Sequence, residues 1–231
     1  MKMNTMTYSA IIVAGGKGTR ANLGYNKVFK SISGHAMLEY SLRTFKSDPA
    51  CKEIVLVIDE ASFDKAHEQF DGFYDSIVKG GKTRRQSVYN GLLKASEPYV
   101  FIHDGARPFI SKTVLERLKN ALEAHESVSP AIKVPDTLKR VKENLVVDSV
   151  DRENIVALQT PQAFKTKTLR KAHEIAGKSA IQATCDLSLV TAALGIKGFI
   201  VEGDTRTMKY THESDDSLLE LILDDANRTK S

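Results

Sequence analysis

Ser9–Arg20 reads SAIIVAGGKGTR, a short apolar run passing directly into a glycine-rich, cationic loop. An apolar run of this length, bounded by turn residues, suits a strand buried on both faces, as in a parallel sheet. The three glycines Gly15, Gly16 and Gly18 let backbone N–H groups approach an anion closely. Arg20 and, further on, Lys27 add positive charge. Ligands of open parallel sheets sit beyond the carboxyl ends of the strands, so Ala14 and the loop after it mark a candidate anion site. The glycine spacing is neither the GxxxxGK[ST] of a P-loop nor the GxGxxG of a dinucleotide fold.

Outward from this stretch, buried strands alternate with amphipathic helices. Strands are predicted at Ile54–Ile58, Ser76–Val78, Tyr99–His103, Ser129–Val134 and Phe199–Val201. Helices are predicted at Met37–Phe45, Ser62–Phe70, Ser87–Ala95, Lys112–Ala124, Thr166–Ala176, Leu187–Leu194 and Asp215–Ala226. This alternation predicts an α/β fold with a mostly parallel sheet. Leu138–Val150 (LKRVKENLVVDSV) breaks the rhythm: apolar and charged residues alternate about a Glu143-Asn144 turn, the pattern of a half-solvated hairpin. No repeat, low-complexity tract or linker divides the chain. It is expected to form one domain, residues 1–231, with a projecting β-arm inserted at about 136–157.

Composition narrows the class. Of 231 residues, 42% are hydrophobic and 27% charged, which excludes a disordered chain, a collagen or a disulfide scaffold. No run approaches the ~20 apolar residues of a membrane span, and the first apolar stretch is too short for a signal peptide. Cys51 and Cys185 lack metal-ligand or CxxC spacing, so a reduced, cytoplasmic protein is expected. The net charge of +4 is too mild for a dedicated nucleic-acid surface.

The remaining loops carry the other distinctive motifs. In order they are AGGKGTR with Lys27, GGKTRRQS (80–87), HDGARPF (103–109), PDTLKR (135–140), VDREN (150–154), QTPQAF (159–164) and TMKYT (207–211). Together they closely resemble the 2-C-methyl-D-erythritol 4-phosphate cytidylyltransferase family, from Ile11 to about Asp216. The resemblance implies a Rossmann-like nucleotidyltransferase fold and a homodimer with interlocking arms. It also implies a reaction, dependent on Mg²⁺ or another divalent cation, that joins CTP to methylerythritol phosphate and releases diphosphate.

Residue by residue, it implies that Ala14, Gly15, Gly16 and Gly18 wrap the triphosphate, with Arg20 and Lys27 on its charges. Gly81, Arg84 and Ser87 would hold the cytosine and its loop. Asp104 would contact the sugar alcohol and approach the metal, and Arg107 would belong to the same substrate loop. Thr137, Arg152 and Thr160 would grip the acceptor phosphate, the first two from the neighbouring subunit's arm. Lys209 would contact the reacting phosphates. The chemistry favours such a set: a phosphomonoester with its second pKa near ~6 is already largely dianionic at neutral pH, so no strong base is needed. What the reaction requires is positive charge to bring two polyanions together. His103 reads as structural for the same reason.

Two positions depart from the family pattern. Gly105 stands where alanine is usual. Thr184-Cys185-Asp186 stands where Thr-Asp-Glu/Asp is usual, so Cys185 replaces a carboxylate. Thr184 would cap the following helix and Asp186 would favour its N-terminus. Cys185 has no histidine partner nearby in sequence and is not read as a nucleophile. Alternatives remain at this point. A ribitol-5-phosphate or related alditol phosphate cytidylyltransferase shares the CTP half, although Leu23–Lys27 resembles the methylerythritol enzymes more. A nucleotide sensor without catalysis would not need Arg20, Lys27, Asp104, Arg152 and Lys209 together. A redox Rossmann protein would have only Asp59 to read a ribose.

Overall fold

The structure, a computed structural model, describes residues 6–16 and 24–228. Gly18 and Arg20 lie outside the described residues. The first half of the chain contains β1 (Tyr8–Val13), β2 (Ser31–Ile32), β3 (His35–Ala36), α1 (Met37–Lys46), β4 (Cys51–Ile58), α2 (Phe63–Phe70), β5 (Ser76–Lys79), α3 (Arg84–Leu92) and β6 (Tyr99–Asp104). It continues with α4 (Lys112–Leu122), β7 (Ser127–Lys133), β8 (Leu138–Lys142), β9 (Leu145–Val150), β10 (Val156–Leu158) and β11 (Gln162–Lys165). Then follow α5 (Thr166–Gly177), α6 (Asp186–Leu194), β12 (Phe199–Glu202) and α7 (Asp216–Arg228).

The alternation of side chains along the central strands explains the layering. On β1, Ala10 and Ile12 join Leu56 and Phe101 on one face, under Leu38, Leu42 and Phe45 of α1 and Val114, Leu115 and Leu118 of α4. Ile11 points the other way with Val55, Val57 and Ile102, against Val88 and Leu92 of α3 and Leu169 and Ala172 of α5. One period-two pattern thus seeds two cores, one on each face of the sheet. β1 lies between β6 and β4, parallel to both, and β5 extends the sheet beyond β4 in the same sense.

The other half of the sheet is mixed. β11 runs antiparallel to β6 and to the start of β7, and β10 runs antiparallel to the end of β7. β12 pairs in parallel with the opposite edge of β7. The strands β10 and β11 are an addition to the expected set: QTPQAF reads as a ligand loop, yet Gln159–Pro161 only join β10 to β11, and Gln162–Phe164 belong to β11. Other elements shift slightly. Thr83 accepts from Gln86 N at 3.1 Å and starts α3 at Arg84, three residues before the expected start at Ser87. Cys185, rather than Thr184, caps α6: its Sγ accepts from Ser188 N at 3.5 Å while Ser188 Oγ accepts from Cys185 N at 3.2 Å. The expected hairpin forms, exposed along nearly all of both strands, while Val156 and Ala157, expected within the insertion, belong to β10 of the main sheet. β8 and β9 pair with each other through a two-residue turn at Glu143 (φ 51°) and Asn144 (φ 66°), and Val141, Leu145, Val146 and Val147 stand exposed.

The bend between β10 and β11 is tied to the end of β6 by a hydrogen-bond chain whose directions can be assigned. Arg107 O lies 2.9 Å from His103 Nε2 and can only accept, so that nitrogen carries the proton. Burial drives the His103 pKa down to about 4, leaving a neutral ring with a bare Nδ1. Nδ1 therefore accepts from Thr160 Oγ1 at 3.0 Å, and Thr160 Oγ1 accepts from Asp104 N at 3.1 Å. The hydroxyl proton of Thr160 is committed inside the fold. Thr160→Val keeps the shape but strands the Asp104 N–H and the imidazole nitrogen. It is expected to lower unfolding free energy by about 2 kcal/mol or more in urea titrations, with Thr160→Ser within about 1 kcal/mol of wild type. Wild-type stability in Thr160→Val would contradict the chain.

Candidate active site

The carboxyl ends of β1, β4, β5 and β6 open into one cleft of about 730 Å³. Much of the lining comes from the ends of strands and the turns that follow them. Ala14, Gly15 and Gly16 leave β1, Asp59 leaves β4, Gly80 and Gly81 leave β5, and Asp104 ends β6. Gly15 is needed for a close approach: a Cβ there would lie 3.0 Å from the backbone nitrogen of Asp59. Gly105 is tight as well. A Cβ would meet Leu38 and Ala14 side chains at 3.1 and 3.2 Å, so the glycine lets the loop pack closely under β1.

Asn26 and Asp59 form the clamp behind the first loop. Asn26 Nδ2 donates to Ala14 O at 2.7 Å and to Asp59 Oδ2 at 2.8 Å, while its Oδ1 accepts from Val28 N. The short turn Lys27–Phe29 starts at this cap and brings Lys27 into the cleft wall. Lys27 Nζ donates to Tyr210 O at 2.6 Å and is buried. The solvated lysine that its position alone allows is therefore not what the fold makes of it.

Asp104 is the centre of charge. Its Oδ1 accepts from Arg84 Nε at 3.1 Å and its Oδ2 from Lys209 Nζ at 2.6 Å. Burial alone would raise the carboxyl pKa. The adjacent Arg84 and Lys209 more than reverse this and hold it well below the usual carboxylate range. Arg84 is held from behind as well, its Nη1 donating to Asp186 Oδ2 at 2.7 Å. Arg107 does not pair with Asp104; it donates from Nη1 to Thr207 O at 2.7 Å and so ties the HDGARP loop to the segment carrying Lys209.

The cleft lining contains Ala14, Gly15, Gly16, Lys27, Gly81, Arg84, Ser87, Asp104 and Lys209 from the expected set. Ser87 Oγ accepts from Gly81 N at 3.0 Å and donates to Thr83 O at 3.1 Å, bracing the turn after β5. Thr160 and Arg107 stand just behind the lining. Thr137 and Arg152 lie apart, exposed at the base of the arm, where Arg152 Nη1 donates to Pro135 O. Asn26, Asp59 as a clamp, and the Arg84–Asp186 pair are absent from the expected set. Asn26 and Asp59 carry a signal, a capping residue before a turn and a carboxylate at a strand end. The Arg84–Asp186 pair spans 102 residues and carries none. Among the described residues no helix is long and apolar enough to cross a membrane.

Residues 8–225 match the family model described as IspD, 2-C-methyl-D-erythritol 4-phosphate cytidylyltransferase. The chain is similar to the 2-C-methyl-D-erythritol 4-phosphate cytidylyltransferase of Geobacillus kaustophilus, 38% identical over 223 residues, 94% of this chain and 97% of the relative. A crystal structure of the enzyme of that name from Thermus thermophilus superposes with a TM-score of 0.80 at 31% identity, covering 93% of this chain and 98% of that one. The 4-diphosphocytidyl-2C-methyl-D-erythritol synthase of Anaerococcus prevotii gives 0.82 at 29% identity, covering 96% and 100%. No relative among these favours the alditol phosphate alternative. With its α/β sheet, its glycine-lined cleft and these likenesses over nearly its whole length, the chain belongs to the 2-C-methyl-D-erythritol 4-phosphate cytidylyltransferase family.

Proposed function

We propose that this cleft transfers the cytidylyl group of CTP to 2-C-methyl-D-erythritol 4-phosphate, releasing diphosphate, in non-mevalonate isoprenoid precursor synthesis. One observation carries the reading: Lys27, Arg84 and Lys209 converge on a glycine-lined cleft whose floor carboxylate, Asp104, is already paired with two of them. The backbone of Ala14, Gly15 and Gly16 receives the triphosphate, and Gly18 and Arg20 also take part in binding it. Gly81 and Ser87 shape the pocket for the base, with Arg84 beside it. Lys27 and Lys209 meet the charge that develops on the leaving diphosphate, the electrostatic contribution such sites rely on. The acceptor phosphate is its own nucleophile, so the residues orient it rather than deprotonate it. Arg107 holds the substrate loop in place.

Among the described residues, no three His, Cys, Asp or Glu side chains come together as a resident metal site. Mg²⁺ takes one or two carboxylates together with substrate phosphates. Three carboxylates line the cleft, and each already has partners: Asp59 accepts from Asn26 and the Ser62 N–H, Glu60 pairs with Lys79, and Asp104 faces Arg84 and Lys209. Asp104 is the one assigned to such a cation here, because it stands among the cations that meet the phosphates. The residues fit Mg²⁺, or another divalent cation, entering with the triphosphate; it would neutralise phosphate charge there. The two free cysteines support a reducing, cytoplasmic setting. A substrate panel tests the function. CTP with methylerythritol phosphate is expected to release diphosphate far faster than CTP with ribitol phosphate or glycerol phosphate. Preference for ribitol phosphate would overturn the acceptor assignment.

We read the chain as one nucleotidyltransferase domain whose inserted arm forms a homodimer. The exposed Val141, Leu145, Val146 and Val147 support this, because a two-stranded hairpin is marginal alone in water. So do the positions of Thr137 and Arg152, outside the cleft of their own chain. In this arrangement both arms exchange symmetrically, and Thr137 and Arg152 reach the partner's acceptor phosphate. Arg152→Ala and Lys27→Ala are each expected to be nearly inactive. After mixing and subunit exchange, about half the dimers are mixed and each has one intact site, so roughly a quarter of wild-type activity returns. Verified exchange without recovery would show that Arg152 does not act across the dimer.

A further inference from the structure

Asp186 is the first residue of α6 and only 2% exposed, yet it carries a charge. It does not line the cleft. Its Oδ2 receives Arg84 Nη1 at 2.7 Å, and Arg84 in turn gives Nε to Asp104 Oδ1 at 3.1 Å. Two edges of one planar guanidinium are thus held by two carboxylates from different layers: one at the end of a central strand, one on a helix of the far face. Burial would neutralise Asp186, but Arg84 first and then His173 reverse the shift and keep the carboxyl ionised. His173 stands behind it with Nε2 3.8 Å from Oδ1, its ring stacked on Tyr89 of α3 at a centroid distance of 5.6 Å. Tyr89 lies on the same helix as Arg84, so α3, α5 and α6 all meet at this carboxylate.

We propose that Asp186 is a positioning residue for the transfer: it anchors the Arg84 guanidinium from behind and thereby fixes the Asp104 carboxylate between Arg84 and Lys209. The inference rests on the cytidylyl-transfer reading of the cleft. The reason for a second anchor is electrostatic. A triphosphate entering the cleft attracts Arg84 strongly, and a guanidinium held by one carboxylate alone is free to turn toward it or to fork onto Asp104 with two N–H groups. Either movement displaces Asp104 from Lys209. With Asp186 buried and charged on the opposite side, Arg84 stays put as the anion arrives. The arrangement predicts a separation of binding from turnover, because the anchor serves the reacting geometry and not the affinity for CTP.

The test is steady-state kinetics of the full-length enzyme with both substrates, alongside thermal melts. Asp186→Asn keeps the size and removes the charge. It is expected to lower kcat at least about 10-fold with the KM for CTP unchanged or lower. Asp186→Glu restores the charge and is expected to recover part of kcat. In an Arg84→Met background, Asp186→Asn should cause no further loss of kcat and should raise the melting temperature, since it removes a carboxylate left without its cation. A role confined to seating α6 predicts the opposite: losses that multiply in the double variant. That result, wild-type kcat in Asp186→Asn, or a raised KM at unchanged kcat would each overturn the proposal. Should Asp186→Asn fail to fold, Asp186→Glu alone decides: kcat several-fold lower at unchanged KM supports the anchor, and full wild-type kcat overturns it. If the wild type turns over no member of the substrate panel, the function fails first; a failed anchor in an active enzyme leaves the function standing.

Discussion

The cleft depends on one carboxylate held between two cations. Asp104 ends β6, a central strand of the sheet, and its two oxygens face Arg84 and Lys209. Two lysines and an arginine in a partly desolvated cleft would repel one another without a negative charge among them. An isolated carboxylate would be equally unfavourable there. Each therefore makes the other tenable, and the result is a preformed cationic cleft in a chain whose net charge is mild. The charge is concentrated by the fold rather than by composition.

Neutral contacts do the rest of the positioning. Thr160 and His103 fix the backbone of Asp104 from below, and Asn26 and Asp59 fix the glycine loop opposite. Arg107 joins the loop after β6 to the segment bearing Lys209, so the cationic partner of Asp104 is tied to the same loop as Asp104 itself. These groups sit behind the lining and keep the charged groups in register with few degrees of freedom. A site built this way holds its charges in place before substrate arrives, which is where electrostatic catalysis gains most.

Much of this was legible in the chain. The apolar run at Ser9–Ala14, the glycines Gly15 and Gly16 after it and the strand expected at Tyr99–His103 are local patterns whose consequences are also local: the run forms β1, the two glycines line the cleft and the strand forms β6. The hairpin of β8 and β9 was legible for the same reason, since alternation and a Glu-Asn turn leave few other structures open. What escaped was set by partners distant in sequence. Val156–Leu158 and Gln162–Lys165 are too short and polar at their junction to read as strands, and they form because β6 and β7 offer open edges. The direction of the Thr160 hydroxyl follows from the protonation of a histidine 57 residues away. Arg84 reads naturally as a substrate contact; that it is shared by Asp104 and Asp186 follows only from α6 packing behind α3. That Gly105, standing where alanine is usual, sits in a tight space is set by Leu38 and Ala14, distant in sequence.

The central claim is that Asp104 balances the cations of the cleft. Calorimetric titration of CTP in EDTA, with no divalent cation present, isolates that balance. Replacing Asp104 with asparagine removes a negative charge beside the triphosphate and releases Arg84 and Lys209 toward it. Asp104→Asn is therefore predicted to bind CTP more tightly than wild type, by at least about 3-fold at low salt, and added salt should narrow the gap. Weaker binding by a folded Asp104→Asn would contradict the claim, because the carboxylate would then be helping to hold the nucleotide itself rather than restraining the cations that do.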